Sequence, residues 1–168
     1  MRAFHNWNAT AAEVAAGYPC DDFLAEPREA MWRAVDIGAP VPVIFRWLCQ
    51  LRVAPYSYDL LDNLGRTSPR SLTPGLEQLA PGQTVMTIFE LVAFETDSHL
   101  TLRLRDRLAR ALFGQLACTY QVTPGRLTVK LLVCYPRWSP MRWILPLGDL
   151  IMMRKQLLTL KRLAERGQ

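Results

Sequence analysis

Residues 99–105, HLTLRLR, alternate apolar and polar without a break, with Leu100, Leu102 and Leu104 on one side and Thr101, Arg103 and Arg105 on the other. Successive side chains on a strand point to opposite faces, so this pattern describes a strand with one dry face and one wet face, a property of antiparallel sheets. The neighbouring segments continue the theme. Residues 84–95, TVMTIFELVAFE, are rich in β-branched and aromatic residues and read as one strand, with ETDSH as the turn into the next. Pro124-Gly125 marks a hairpin between strands over 115–123 and 126–135, and in the second arm Leu127, Val129, Leu131, Val133 and Tyr135 share a face. Residues 106–113 fit either a helical turn or a bulged strand.

This sheet must bury its dry face against something. The C-terminal segment supplies the partner. Leu150, Met153, Leu157, Leu160 and Ala164 recur at alternating spacings of three and four, which predicts an amphipathic helix over about 149–166 with Asp149 as its N-cap. Upstream, Thr10 and Glu13 have capping-box spacing in a short helix over 8–16, and residues 17–30 read as an irregular arm. Residues 31–38 read as a strand with Met31, Arg33, Val35 and Ile37 on one face. Pro40 and Pro42 suit the first turn of a helix over 41–52, striped by Val41, Ile44, Phe45, Leu48 and Leu51. DLLDNLG after Tyr58 reads as a short helix closed by Gly65, and 66–83 as loop. The sum is an α+β single domain spanning 1–168: a curved antiparallel sheet around one long helix, with room for a cavity between them.

Composition narrows the function classes. A chain of 168 residues, half of them apolar, buries enough surface to fold without a metal or disulfide staple. The net charge of +5 is spread along the chain with no block of like charges and no nucleic-acid motif, so no nucleic-acid partner is expected. Four cysteines without CxxC spacing and only two histidines argue against a metal site, and no cofactor motif is present. The cysteines read as reduced, which together with an N-terminus lacking an apolar signal core predicts a cytoplasmic protein. The greasy run Trp143 to Met153 is too short to span a membrane, so no stable insertion is expected. GxSxG, HExxH, GxGxxG and P-loop motifs are absent.

The run APVPVIFRWLCQLRVAPYSYDLLDN resembles bacterial members of the START-like (SRPBCC) superfamily, which includes polyketide cyclase/dehydrase and lipid-transport proteins; Ala39, Pro40, Trp47, Leu48, Gln50, Tyr56, Ser57, Tyr58 and Asp59 carry the likeness. The closing GDLIMMRKQLLTLKRLAE is similar to the same superfamily's last helix through Gly148, Asp149, Met152, Met153, Arg154 and Leu157. Phe45 stands where many relatives have Trp, and the segment between Gln50 and Tyr56 is short. The resemblance implies a helix-grip fold: a bent sheet gripping the C-terminal helix over a hydrophobic tunnel. It does not fix chemistry.

The expected ligand is an apolar small molecule such as a lipid, an isoprenoid or a polyketide-like ring system. Trp47, Tyr56, Tyr58, Leu102, Leu104, Tyr120, Met153 and Leu157 are the expected wall. The alternative is a cyclase or dehydratase using the same cavity, with Tyr58 or Glu90 as proton-transfer groups. Blander readings compete at each position. Tyr56 and Tyr58 could fill space, Asp59 could cap a helix, and Gln50 could tie down a loop. Glu90 could lie on the wet face, and His99 and His5 could be solvated residues of a turn and a tail. The basic residues Lys155, Lys161 and Arg162 form either a solvated face or a docking surface for a protein partner.

Overall fold

The computed structural model describes residues 4–24, 29–57, 67–136 and 140–166. Seven strands form one mixed, unclosed, curved sheet: β1 (Asn6–Trp7), β2 (Glu29–Asp36), β3 (Thr84–Val85), β4 (Phe89–Glu95), β5 (His99–Leu104), β6 (Gln115–Thr123) and β7 (Arg126–Cys134). Their order is β1-β2-β7-β6-β5-β4-β3. All neighbours are antiparallel except the two-residue β1, which runs parallel to β2. Helices α1 (Ala11–Ala15), α2 (Val41–Cys49), α3 (Arg107–Phe113) and α4 (Met141–Arg166) complete the fold, with short 3-10 turns at Pro19–Phe23 and Gln50–Arg52.

The period-two pattern fixes the inner face. Register pairs Leu100 with Tyr120, Leu102 with Cys118, Tyr120 with Val129 and Cys118 with Leu131, so the inward sets of β5, β6 and β7 stack in rows. These rows join Met31, Val35, Ile44, Leu48, Leu157 and Leu160 in one buried core. The capping box of α1 forms as its spacing predicts: Thr10 Oγ1 accepts from Glu13 N, and Glu13 reaches back to Thr10 N. Gly114 closes α3 at φ 84°, where any β-carbon would meet the Cys134 carbonyl at 2.2 Å. The ambiguous stretch 106–113 is thus helical, capped by Asp106.

Four expectations give way. The run 84–95 is not one strand. Met86 and Thr87 take left-handed φ of 46° and 66°, the chain reverses, and β3 pairs with β4 as a hairpin. A main-chain bond from Met86 N to Leu51 O, 3.0 Å long, holds this corner against the turn after α2. The outer sheet face is not simply wet, because the arm at Pro19–Phe23 lies across it. Cys20 N donates to Thr119 Oγ1, which bonds Thr101 Oγ1, and both threonines are buried. His5 is not a solvated tail residue: it is buried, its carbonyl accepts from Trp32 N, and Nε2 lies 3.3 Å from Glu29. Finally, α4 begins at Met141, and Asp149 lies inside the helix. Pro146 and Gly148 read as breakers by local propensity, but tertiary contacts override weak local preferences. The helix expected over the residues after Tyr58 lies outside the described residues.

Candidate functional site

Between the inner sheet face and α4 lies a cavity of about 720 Å³. The sheet supplies Leu104 of β5, Leu116, Cys118 and Tyr120 of β6, and Val129 and Leu131 of β7. The left-handed corner after β3 contributes Met86, Thr87 and Ile88. From α4 come Leu145, Asp149, Met152, Met153 and Gln156, spaced so that one helical stripe faces the void. Ile144 also lines the cavity while remaining 59% exposed, which places a mouth at the N-terminal end of α4.

The wall is mostly hydrocarbon and thioether, with two polar stations. The first joins sheet to helix: Tyr120 Oη donates to Gln156 Oε1 at 2.7 Å, and Gln156 Nε2 donates to the Pro55 carbonyl at 2.6 Å. Burial holds the Tyr120 phenol well above the usual tyrosine range, so it stays neutral. The second is Asp149, whose side chain keeps 10% of its surface accessible. Arg33, buried on β2, places Nη2 2.7 Å from Asp149 Oδ2. Burial pushes the Asp149 carboxyl up to about 6, and the nearby guanidinium only partly offsets that. The sequence pattern placed Arg33 on one face with Met31, Val35 and Ile37 without giving it a partner. Its partner comes from the far end of the chain, and no local spacing joins the two.

The expected wall residues divide. Leu104, Tyr120 and Met153 line the cavity. Trp47, Leu102 and Leu157 are buried in the core without lining it. Tyr56 packs edge-on to Trp47, ring centroids 6.1 Å apart, with φ 56° in place of the strand geometry its Tyr-Ser-Tyr setting suggests. It borders a separate shallow groove beside Lys155 and Arg162. Tyr58 lies outside the described residues. Glu90 is a correction: its carboxylate accepts two bonds from Arg103, 2.7 and 3.1 Å long, on the outer face. Because Phe89 and Leu91 take the inward parity, Glu90 cannot reach the cavity. Gln50 ties down a loop, exchanging bonds with Thr73 N and O. His99 sits part-buried at the start of β5, 3.7 Å from Glu95, and burial lowers its pKa.

Among the described residues no cluster of three or more histidine, cysteine or acidic side chains could hold a metal ion, and no helix is long and apolar enough to cross a membrane. No family model matches the chain, and no curated protein does. Solved structures do. A Mesorhizobium loti protein superposes with TM-score 0.50 at 12% identity, over 83% of this chain and 99% of its own. A Chromobacterium violaceum protein gives TM-score 0.51 at 13% identity, over 81% and 96%. The di-domain ARO/CYC protein BexL, from the BE-7585A biosynthetic pathway, gives 0.51 at 15% identity, over 82% of this chain but only 50% of BexL. At such identities the likeness is one of architecture, and with the curved sheet and long closing helix it establishes that this chain has the START-like helix-grip fold.

Proposed function

We propose that this protein binds and carries an apolar small molecule in the cavity between the sheet and α4. The observation that carries this reading is the cavity itself: about 720 Å³, walled largely by apolar side chains, with few polar groups. That size falls within the range of about 300–1,000 Å³ of ordinary small-molecule sites. Burial of ligand surface supplies affinity at about 25 cal/mol per Å², less the cost of ordering the ligand. Met86, Met152 and Met153 give the wall side chains that adapt to irregular shapes. A lipid, an isoprenoid or a polyketide-like ring system fits this description. A cyclase or dehydratase working in the same space is the other reading, and Glu90 does not serve it, being on the opposite face of the sheet.

The test blocks the cavity from its floor. Val129 and Cys118 are buried, on adjacent strands, and face the void. Val129→Trp with Cys118→Phe fills its centre. Nile red, a neutral apolar dye, is expected to bind the wild type with enhanced fluorescence. The filled variant is expected to lose at least about tenfold in affinity, roughly 1.4 kcal/mol, while still unfolding cooperatively. Equal dye binding by both proteins would refute the cavity as the site. Mass spectrometry of the natively purified protein then identifies what it carries.

A further inference from the structure

The apolar cavity contains one feature that hydrophobic carriage alone does not require. Asp149 is the only charged residue lining it among the described residues. Asp149 Oδ2 is buried and has no aligned hydrogen-bond donor. The reason lies in Arg33. Its Nη1 donates to the Trp32 carbonyl at 2.8 Å, and its Nη2 donates to the carbonyls of Phe4 at 3.0 Å and Pro146 at 3.4 Å. Nη2 therefore meets Asp149 Oδ2 as an ion pair at 2.7 Å while its hydrogen bonds run to main-chain oxygens. One helical face thus presents the void with the ion-paired carboxylate of Asp149, the two methionines 152 and 153, and then Gln156, already satisfied by Tyr120 and Pro55.

Resting on the carrier reading above, we propose that the cavity selects neutral apolar ligands bearing a hydroxyl or phenol, whose O–H donates to Asp149, and discriminates against carboxylate ligands. Arg33 acts as a positioning residue, its ion pair to Oδ2 holding the carboxylate at the wall. A ligand carboxylate would meet Asp149 as a like charge, and among the described residues no lysine or arginine lines the cavity to receive it. A plain hydrocarbon enters without using the carboxylate. A hydroxyl donates to it. Hydrogen bonds to charged groups are the stronger kind, and each leaves the partner exposed to a large penalty when it is absent.

Three competitors of one ring system separate these cases: naphthalene, 2-naphthol and 2-naphthoate, each displacing Nile red at pH 7.5. The wild type is expected to prefer 2-naphthol to naphthalene by about tenfold, and to bind 2-naphthoate more weakly than either. Asp149→Asn keeps the shape and is expected to shrink the naphthol preference to about twofold or less. That variant strands the buried Arg33 charge beside a neutral amide, so the paired variant Arg33→Met/Asp149→Leu is measured beside it. It removes both charges; measured against that variant's own affinity for naphthalene, 2-naphthol is expected to bind no more tightly. Wild type showing no preference for 2-naphthol, or a paired variant that keeps it, overturns the proposal while the carrier reading stands. Failure of the wild type to bind Nile red at all overturns the carrier reading and this one with it.

Discussion

Replacing Arg33 and Asp149 singly and together is the sharpest stability test the structure offers. The Arg33 side chain is 1% exposed and that of Asp149 10%, so each ion is held away from water. Removing one partner strands the other as a buried charge, which typically costs about 3–5 kcal/mol. Arg33→Met alone and Asp149→Leu alone should each show that loss in urea unfolding at pH 7.5. Removing both has a different balance. The desolvation of two ions disappears, and such replacements by apolar residues are often neutral or stabilising by about 1–4 kcal/mol. Against this, the carbonyls of Trp32, Phe4 and Pro146 lose their Arg33 donors, each worth about 1 kcal/mol. The paired variant should therefore be no more than about 2 kcal/mol less stable than the wild type, short of the loss in either single variant. A paired variant as unstable as the single ones would show that the ions hold the fold by their mutual attraction, and would refute the reasoning.

The same pair carries a pH signature. Asp149 titrates near 6 in the folded protein against 3.8 in an unfolded chain. The folded state thus takes up a proton before the unfolded state does, and this group makes the protein more stable as pH falls from about 6 toward 4. His99, held below its ordinary 6.5 by burial, works the other way over neighbouring pH. His99 is common to wild type and paired variant, so the difference between their stability curves isolates Asp149. That difference should move in favour of the wild type on going from pH 7 to pH 5.

Two further outcomes follow from other groups. Glu13 is held at about 2, chiefly by the hydrogen bonds from Arg126, so its contribution is complete above about 4.5 and is lost as pH falls to about 2. Glu13→Gln should cost about 1 kcal/mol at pH 7 by chemical denaturation, since solvent screens so open a site, and the gap to wild type should close by about pH 2. Burial raises the thiols of Cys20, Cys49 and Cys118, with Cys49 pushed up to about 12, whereas Cys134 is only part-buried. A disulfide-exchange reagent such as DTNB at pH 8 should therefore label one thiol of the folded protein quickly and all four after denaturation, and rapid labelling of Cys20 or Cys49 would contradict their burial.

The inner face of the sheet was legible in the chain because its cause is local. Strand parity put Leu100, Leu102 and Leu104 inward and grouped Leu127, Val129, Leu131 and Val133 on one face, the helical stripe grouped Leu157 and Leu160, and the structure packs all of them into one core. The turn at Pro124-Gly125 and the Thr10–Glu13 box are equally local, and both stand where the residues say. Parity could not say which inward residues border empty space. Leu102 and Leu104 share a face, yet only Leu104 lines the cavity, since that depends on how far α4 stands off each point of the sheet.

The rest was decided by contacts between distant segments. A threonine facing outward on β5 reads as solvated until an N-terminal arm crosses it, and Thr101 is buried for that reason. Pro146 and Gly148 read as the end of a pattern, but α4 runs through them. Asp149 read as a cap because a lone carboxylate beside a helical stripe usually is one. Inside the continued helix it became the charged group of the cavity, facing an arginine from the second strand. Alternation and helical period determined which surfaces would be apolar, because those are properties of consecutive residues. The hollow, and the carboxylate set in its wall, came only from tertiary packing, because burial and charge pairing depend on which distant residues meet.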